Sequence, residues 1–349
     1  MIAAVKRQRW WIGRVAVLPV HIFAFAIGVF FLVRLIPGDP VATIMGGQPI
    51  TPQALEAARK SLGLTGSVFD QLKTYLGNVI HSRFGDSITT GQPVLHDILQ
   101  RLPATVELAV IAMAGAVLLT LGAGFLIVNR PRNIVSRALL SYARAAGAVP
   151  DFVLGVAGIF LFFSVLHLVP APLGLYDPLL NPPPTITSFP LVDALLSGNI
   201  HLFVSMVTHL ILPEIVLILA YAPFLMKLFI RALEDAVDAP PTRFRIASGA
   251  SRRAVNLSVT RRAAPSTVAM FGTLFGYMLG GTIVIEQLFS MPGMGAFGVT
   301  AVNDADLVSL EGFLLVVAAI SLVVFLLVDI ANMLIDPRRR PGLAEVDPA

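Results

Sequence analysis

Six stretches of this sequence are long, apolar and almost free of charge, and that feature limits what the chain can fold into. They run roughly from Val15 to Val33, Leu108 to Val128, Phe152 to Val169, Leu202 to Met226, Val268 to Ile285 and Phe313 to Ile335. Each is close to the roughly 20 residues that carry a helix across a bilayer. With 56% hydrophobic and 13% charged residues among 349, the chain lacks the charge to cover a water-soluble surface of its size. The pattern predicts an all-α polytopic membrane protein of six transmembrane helices. Lys6, Arg7 and Arg9 precede the first stretch as in a secretory signal. The apolar run is longer than a signal core and no small-residue cleavage site follows, so a retained first helix is expected. Pro213 and Glu214 interrupt the fourth stretch and Asp329 lies near the end of the sixth; a bundle can accommodate such residues when neighbours satisfy the freed polar groups.

Basic residues orient the spans. They precede the first span, lie between the second and third (Arg130 to Arg144) and between the fourth and fifth (Lys227 to Arg262), and follow the sixth (Arg338 to Arg340). None occurs between Arg144 and Lys227, or between Arg262 and Arg338. The positive-inside rule therefore predicts cytoplasmic termini. Residues 37–102 carry basic groups yet exceed the loop length over which that rule acts, and are expected outside as a small helical extracytoplasmic subdomain. Thr51-Pro52, with Leu55, Ala58 and Leu62, begins one amphipathic helix ended by Gly63. Ser67, with Phe69, Leu72, Leu76 and Ile80, begins another. Pro170 to Pro190, with three consecutive prolines at 182–184, reads as an extended outer loop. The expected organisation is 1–36 (cytoplasmic tail and first helix), 37–102 (outer subdomain), 103–336 (helices two to six, with a cytoplasmic segment at 232–262) and 337–349 (cytoplasmic tail).

Several chemistries are excluded. With no cysteine there is no disulfide, thiolate metal site or cysteine nucleophile. None of the four lysines follows a glycine, so there is no P-loop to hold ATP phosphates. No metalloprotease or serine-hydrolase motif occurs, and His21, His167 and His209 are isolated. No metal site and no nucleic-acid partner are expected. Any energy for transport comes from another subunit.

Five segments carry a resemblance. They are Phe31-Leu32-Val33-Arg34-Leu35-Ile36-Pro37-Gly38-Asp39-Pro40; Leu62-Gly63-Leu64 with Phe84-Gly85-Asp86-Ser87; Arg101-Leu102-Pro103-Ala104-Thr105-Val106-Glu107; Ile285-Glu286-Gln287-Leu288-Phe289-Ser290-Met291-Pro292-Gly293-Met294-Gly295; and Leu327-Val328-Asp329 with Asp336-Pro337-Arg338. In order and spacing they resemble the dipeptide/oligopeptide/nickel permeases of binding-protein-dependent ABC importers, B-type subunit. The resemblance implies the type I permease fold in a bacterial plasma (inner) membrane. It also implies a second homologous permease, two cytoplasmic ATPase subunits or domains that bind ATP and Mg, and an extracytoplasmic substrate-binding protein. The chain itself would need no cofactor and catalyse nothing.

The resemblance places a short ATPase-docking helix between spans four and five, at Arg243 to Arg253. Arg245, Ala247, Gly249, Arg252 and Arg253 are its coupling candidates, although Arg245 stands where the family has a small residue. Without the resemblance the stretch reads as an ordinary basic inner loop, with Pro241 fit to start a helix and Gly249 to end it. Gly272, Gly276 and Gly280 form a stripe permitting close helix approach, either to a partner permease or within the subunit. Glu286 and Asp329 lie near span ends, where water is expected to reach them, so structural roles are expected. Glu214 beside Pro213 lies deeper and is the candidate for the translocation pathway. Peptides are the expected cargo. A nickel or metal-chelate importer shares the motifs, and a stand-alone secondary transporter is the rival from another class.

Overall fold

The computed structural model describes residues 10–35, 53, 66–145 and 147–335. Among them there is no strand; one isolated bridge pairs Asp86 with Pro93. The helices are α1 (Trp10–Arg34), α2 (Val68–Ile80), α3 (Val94–Asn129), α4 (Ile134–Arg144), α5 (Asp151–Gly158, continued by a π-helical segment Ile159–Val165), α6 (Pro190–Leu196), α7 (Ile200–Asp238), α8 (Pro240–Ala247), α9 (Arg252–Leu288), α10 (Met294–Asn303) and α11 (Leu307–Ile335).

Among the described residues five helices are long and apolar enough to span a bilayer: α1, α3, α7, α9 and α11. The third expected span, Phe152 to Val169, is instead a 15-residue apolar helix, Asp151–Val165, about 22 Å long at 1.5 Å per residue. Pro150 caps its start, and the backbone before it, at residues 147–150, is non-helical. Helix α3 runs without a break through Pro103, so residues expected in the outer subdomain form its first turns. Of the two subdomain helices, the one expected at 51–63 lies, Gln53 apart, outside the described residues. The second is α2, started by a capping box in which Ser67 and Asp70 bond each other's backbone and side chain.

α7 is the hub, packed chiefly against α3 and α9, while α11 joins α9 to the peripheral α1. Small residues make the α3–α7 seam close. Ala109, Ala112, Ala116 and Ala123 are buried at three-, four- and seven-residue steps, one face of a helix. A methyl at Gly124 would stand 2.6 Å from the Phe229 ring. One core cluster joins Leu108 and Ala112 to Leu217, Met278 and Ile285. Another joins Val29 and Val33 to Ile98, Phe297 and Phe313. The chain's reversals put α2, α6 and α10 at one end of the bundle and α4 and α8 at the other.

Candidate functional site

At the α8 end, the coupling candidates Arg245 and Ala247 lie on a short helix, and Gly249, Arg252 and Arg253 follow it. Pro240 and Pro241 occupy its first turn, where a missing N–H costs nothing. Thr242 is buried and donates to Ala236 O at 2.6 Å, and Arg262 of α9 donates to the same hydroxyl. These contacts anchor α8 to α7 and α9. Its other side is open: Arg243, Phe244, Arg245, Ile246 and Ala247 are all exposed, Phe244 at 73%. Gly249 has φ +73°. Its N–H bonds Ile246 O at 3.0 Å and Ala250 N bonds Arg245 O at 3.0 Å, the paired bonds of a glycine-terminated helix end. A methyl group on Gly249 would meet nothing within 4 Å, so the glycine is set by backbone conformation rather than by packing inside the subunit. Arg252 and Arg253 are exposed on the first turn of α9.

The α10 end is held by carboxylates that cap helices distant in sequence. Water was expected at Glu286, and the structure corrects this: it is 1% exposed. Its carboxylate accepts from Thr105 Oγ1 at 2.5 Å and from Gly295 N at 2.6 Å, while Thr105 Oγ1 accepts from Met294 N at 2.7 Å. The C-terminal turn of α9 thus supplies the acceptor for the orphan amides that open α10. The glycines of the Met291-Pro292-Gly293-Met294-Gly295 stretch have a steric cause, since a Cβ at Gly293 would collide with this carboxyl group. Glu107 does the same for α6, accepting from Leu191 N at 2.9 Å and Val192 N at 3.2 Å. Asp306 caps α11 through Ser309 N and Oγ, and holds the loop before α3 through Ser87 Oγ at 2.6 Å. None of these roles was legible beforehand; only Glu286 was marked, as a carboxyl near a span end. Asp193 accepts from Ile186 N, Thr187 N and Oγ1, and Ser188 N. Burial acts to raise its pKa, but those donors outweigh it and hold the carboxyl below the ordinary value.

Between the two ends, Glu214 is 7% exposed and, among the described residues, neither oxygen has a hydrogen-bond partner; Pro213 beside it is also buried. In this subunit both sit inside the bundle, not on an open wall. The glycine stripe divides. A methyl at Gly272 would stand 2.8 Å from the Phe325 ring of α11 and one at Gly276 3.9 Å, whereas Gly280 meets nothing. Gly272 is therefore used inside the subunit, and Gly280 opens outward. Asp329, expected near water, is partly exposed and ion-paired with Arg14 of α1.

One polar cluster was missed. Asp151, Tyr221 and Tyr277 line an open cleft of about 400 Å³ between the start of α5, α7 and α9. Tyr221 Oη lies 3.3 Å from Asp151 Oδ2 and 3.1 Å from Tyr277 O. Asp151 falls one residue before the third apolar stretch and was not singled out; only its charge beside a span could have flagged it.

The family model described as binding-protein-dependent transport system inner membrane component matches residues 116–341. The N-terminal companion of that family matches residues 8–109. A probable D,D-dipeptide transport system permease protein of Escherichia coli (strain K12) is 32% identical over 344 residues, covering 98% of this chain and 99% of that protein. A di/tripeptide transport system permease protein of Pseudomonas aeruginosa (strain UCBPP-PA14) is 33% identical over 91% of this chain and 94% of its own length. A dipeptide transport system permease protein of Escherichia coli (strain K12) is 29% identical over 89% and 92%.

Proposed function

We propose, because the chain belongs to the binding-protein-dependent transport system inner membrane component family, that it is the permease subunit of an ATP-driven importer and forms half of a pathway for di- or oligopeptides. The observation that carries this reading is end-to-end similarity to peptide permeases in a multi-pass, all-helical inner membrane protein. A second, homologous permease would complete the pathway. Two cytoplasmic ATPase subunits would bind ATP and Mg and supply the energy, and a substrate-binding protein would deliver the peptide outside. The chain itself is a transport subunit, not an enzyme.

In this reading both termini and the α8 end are cytoplasmic, following the arginines there. The short helix Asp151–Val165 is the sixth crossing, completed by the non-helical segment before it. Helix α8 is the element that meets an ATPase. Arg243, Phe244, Arg245, Ile246 and Ala247 present its free face, Gly249 sets where it stops, and Arg252 and Arg253 extend the basic surface. An exposed aromatic residue flanked in sequence by Arg243 and Arg245 suits a groove with an apolar floor and acidic rim.

The test is reconstitution in proteoliposomes. The chain with its partner permease, ATPases and binding protein should take up labelled dipeptide only with ATP inside the ATPase-bearing compartment. The chain alone should neither hydrolyse ATP nor take up peptide. Uptake by the chain alone, driven by an ion gradient, would replace this reading with a secondary transporter.

A further inference from the structure

We propose that the carboxylate of Asp151, in the cleft between α5, α7 and α9, binds the α-ammonium group of the peptide in transit. The proposal rests on the importer reading and adds to it a wall of the pathway and the chemical group that this wall recognises.

Depth comes first. The Tyr221 hydroxyl meets Tyr277 O, and a Cβ built on Gly281 would stand 2.6 Å from Asp151 Oδ2. Tyr277 and Gly281 precede the end of α9 at Leu288 by enough residues to put Asp151 about 10–16 Å below that end at 1.5 Å per residue. Near one end of a bilayer core about 30 Å thick, that distance reaches toward the middle. The start of α5 therefore lies at membrane depth, not at a surface.

The backbone leading to it is the second observation. Gly147, Ala148, Val149 and Pro150 are non-helical and exposed. Among the described residues, only Ala148 N of this segment finds an acceptor, Ala145 O at 2.9 Å. Unpaired backbone at this depth cannot face lipid, because each unsatisfied group there costs several kcal/mol. It is tolerated only against protein or along water. Val149 and Pro150 line the same open cleft as Asp151, and on the importer reading that cleft belongs to the aqueous pathway. The π-helical continuation of α5 adds an irregularity of the kind that recurs at functional sites.

The chemistry of the cleft then selects the group. Asp151 accepts from Phe152 N at 2.8 Å through Oδ1, and Tyr221 Oη stands at Oδ2. Two carboxylate oxygens offer about four acceptor positions, so room remains. No Lys or Arg pairs with Asp151 among the described residues. Tyr277, 68% exposed, lines the same cleft, and an aromatic face favours cations. Of the charged groups common to all unmodified linear peptides, the α-ammonium is the cation and is largely protonated at neutral pH.

The absence of cysteine makes the test direct. Val149→Cys is placed in the chain, the complete transporter is assembled in proteoliposomes, and labelling by a water-soluble methanethiosulfonate is timed. The probe is the peptide Ala-Ala, delivered on saturating binding protein during ATP turnover. The thiol should label, and Ala-Ala should slow the labelling. In the Asp151→Asn background protection should fall about tenfold or more, as for loss of one charge-assisted bond, with peptide-free labelling unchanged as the check on folding. Asp151→Glu should restore protection. An unreactive thiol would overturn the aqueous wall. Labelling without protection, or equal protection in Asp151→Asn, would overturn the ammonium contact. Failure of the parent transporter to import Ala-Ala would instead overturn the importer reading itself.

Discussion

Replacing Glu286 with alanine should cost more stability than any surface change in this chain, because the carboxylate joins three helices without water. It takes a 2.5 Å bond from Thr105 of α3 and a 2.6 Å bond from Gly295 N at the start of α10, at a residue 1% exposed. Alanine leaves both donors buried and unpaired. At about 1–3 kcal/mol for each orphaned group, the loss is about 2–6 kcal/mol. Glutamine is the informative comparison. Its carbonyl can still accept from Gly295 N, and its amide can donate to the Thr105 hydroxyl, which has a second lone pair beside the one used by Met294 N. Glu286→Gln should therefore cost less, about 1–2 kcal/mol, two charge-assisted bonds being replaced by neutral ones. Unfolding of the purified chain in a mixed-micelle denaturant titration would measure both. Equal losses for the two substitutions would show that the hydrogen-bond count is wrong, and a loss for alanine under about 1 kcal/mol would show that the node is wet.

Gly249→Ala places a side chain at φ +73°, a strain of about 1–2 kcal/mol, with no steric clash in this subunit. It should weaken substrate-stimulated ATP hydrolysis of the assembled transporter while membrane insertion is normal, and Gly249→Glu should weaken it more; unchanged coupling in both would remove α8 as the docking element. A cysteine at Leu179, 92% exposed, should react with an impermeant reagent added outside intact cells, and one at Ser251 should not; the reverse would invert the topology. Ser309, on the same side as Leu179, is a poor reporter because it is 1% exposed and bonded to Asp306. Asp70 is held below its ordinary carboxyl value by its bonds with Ser67, so its support of α2 is complete above the unfolded pKa and is lost as pH falls through the lower folded one. A spin label at Asn78 should become mobile only on acidification below the ordinary carboxylate range, and at neutral pH already in Ser67→Ala; a label insensitive to both would deny the capping box its role.

What the sequence made legible follows from what a bilayer makes obligatory. Spans α1, α7 and α11 and the capped helix α2 could be read because apolar length and Ser-x-x-Asp are local signals. The Gly249 stop was readable for the same reason. The α10-end carboxylates were not, since the partners Thr105 and Glu286 are 181 residues apart and Ser87 and Asp306 are 219 apart. Hydropathy marks such a residue only as a charge near a span end, and the bland inference, contact with water, fails when three helices close over it. The small-residue face of α3 was present in the sequence at Ala109, Ala112, Ala116 and Ala123, but it is quieter than the glycines of α9 and went unread.

The third apolar stretch shows the same limit from the other side. Its apolar run, Phe152 to Val169, satisfies the length rule on paper, yet the helix stops at Val165 and does not begin before Pro150. Residues 166–169 leave helical geometry, with His167 at φ +52°. A count of apolar residues cannot tell a helix that crosses from one that starts within the membrane, because both are built from the same side chains. The difference lies in the backbone before Asp151: a proline, a glycine at φ +74° and, among the described residues, amides of which only Ala148 N finds an acceptor. Such a segment is stable at that depth only where water or another subunit meets it. On the importer reading, the exposed side of α5 is therefore where the second permease would complete the pathway.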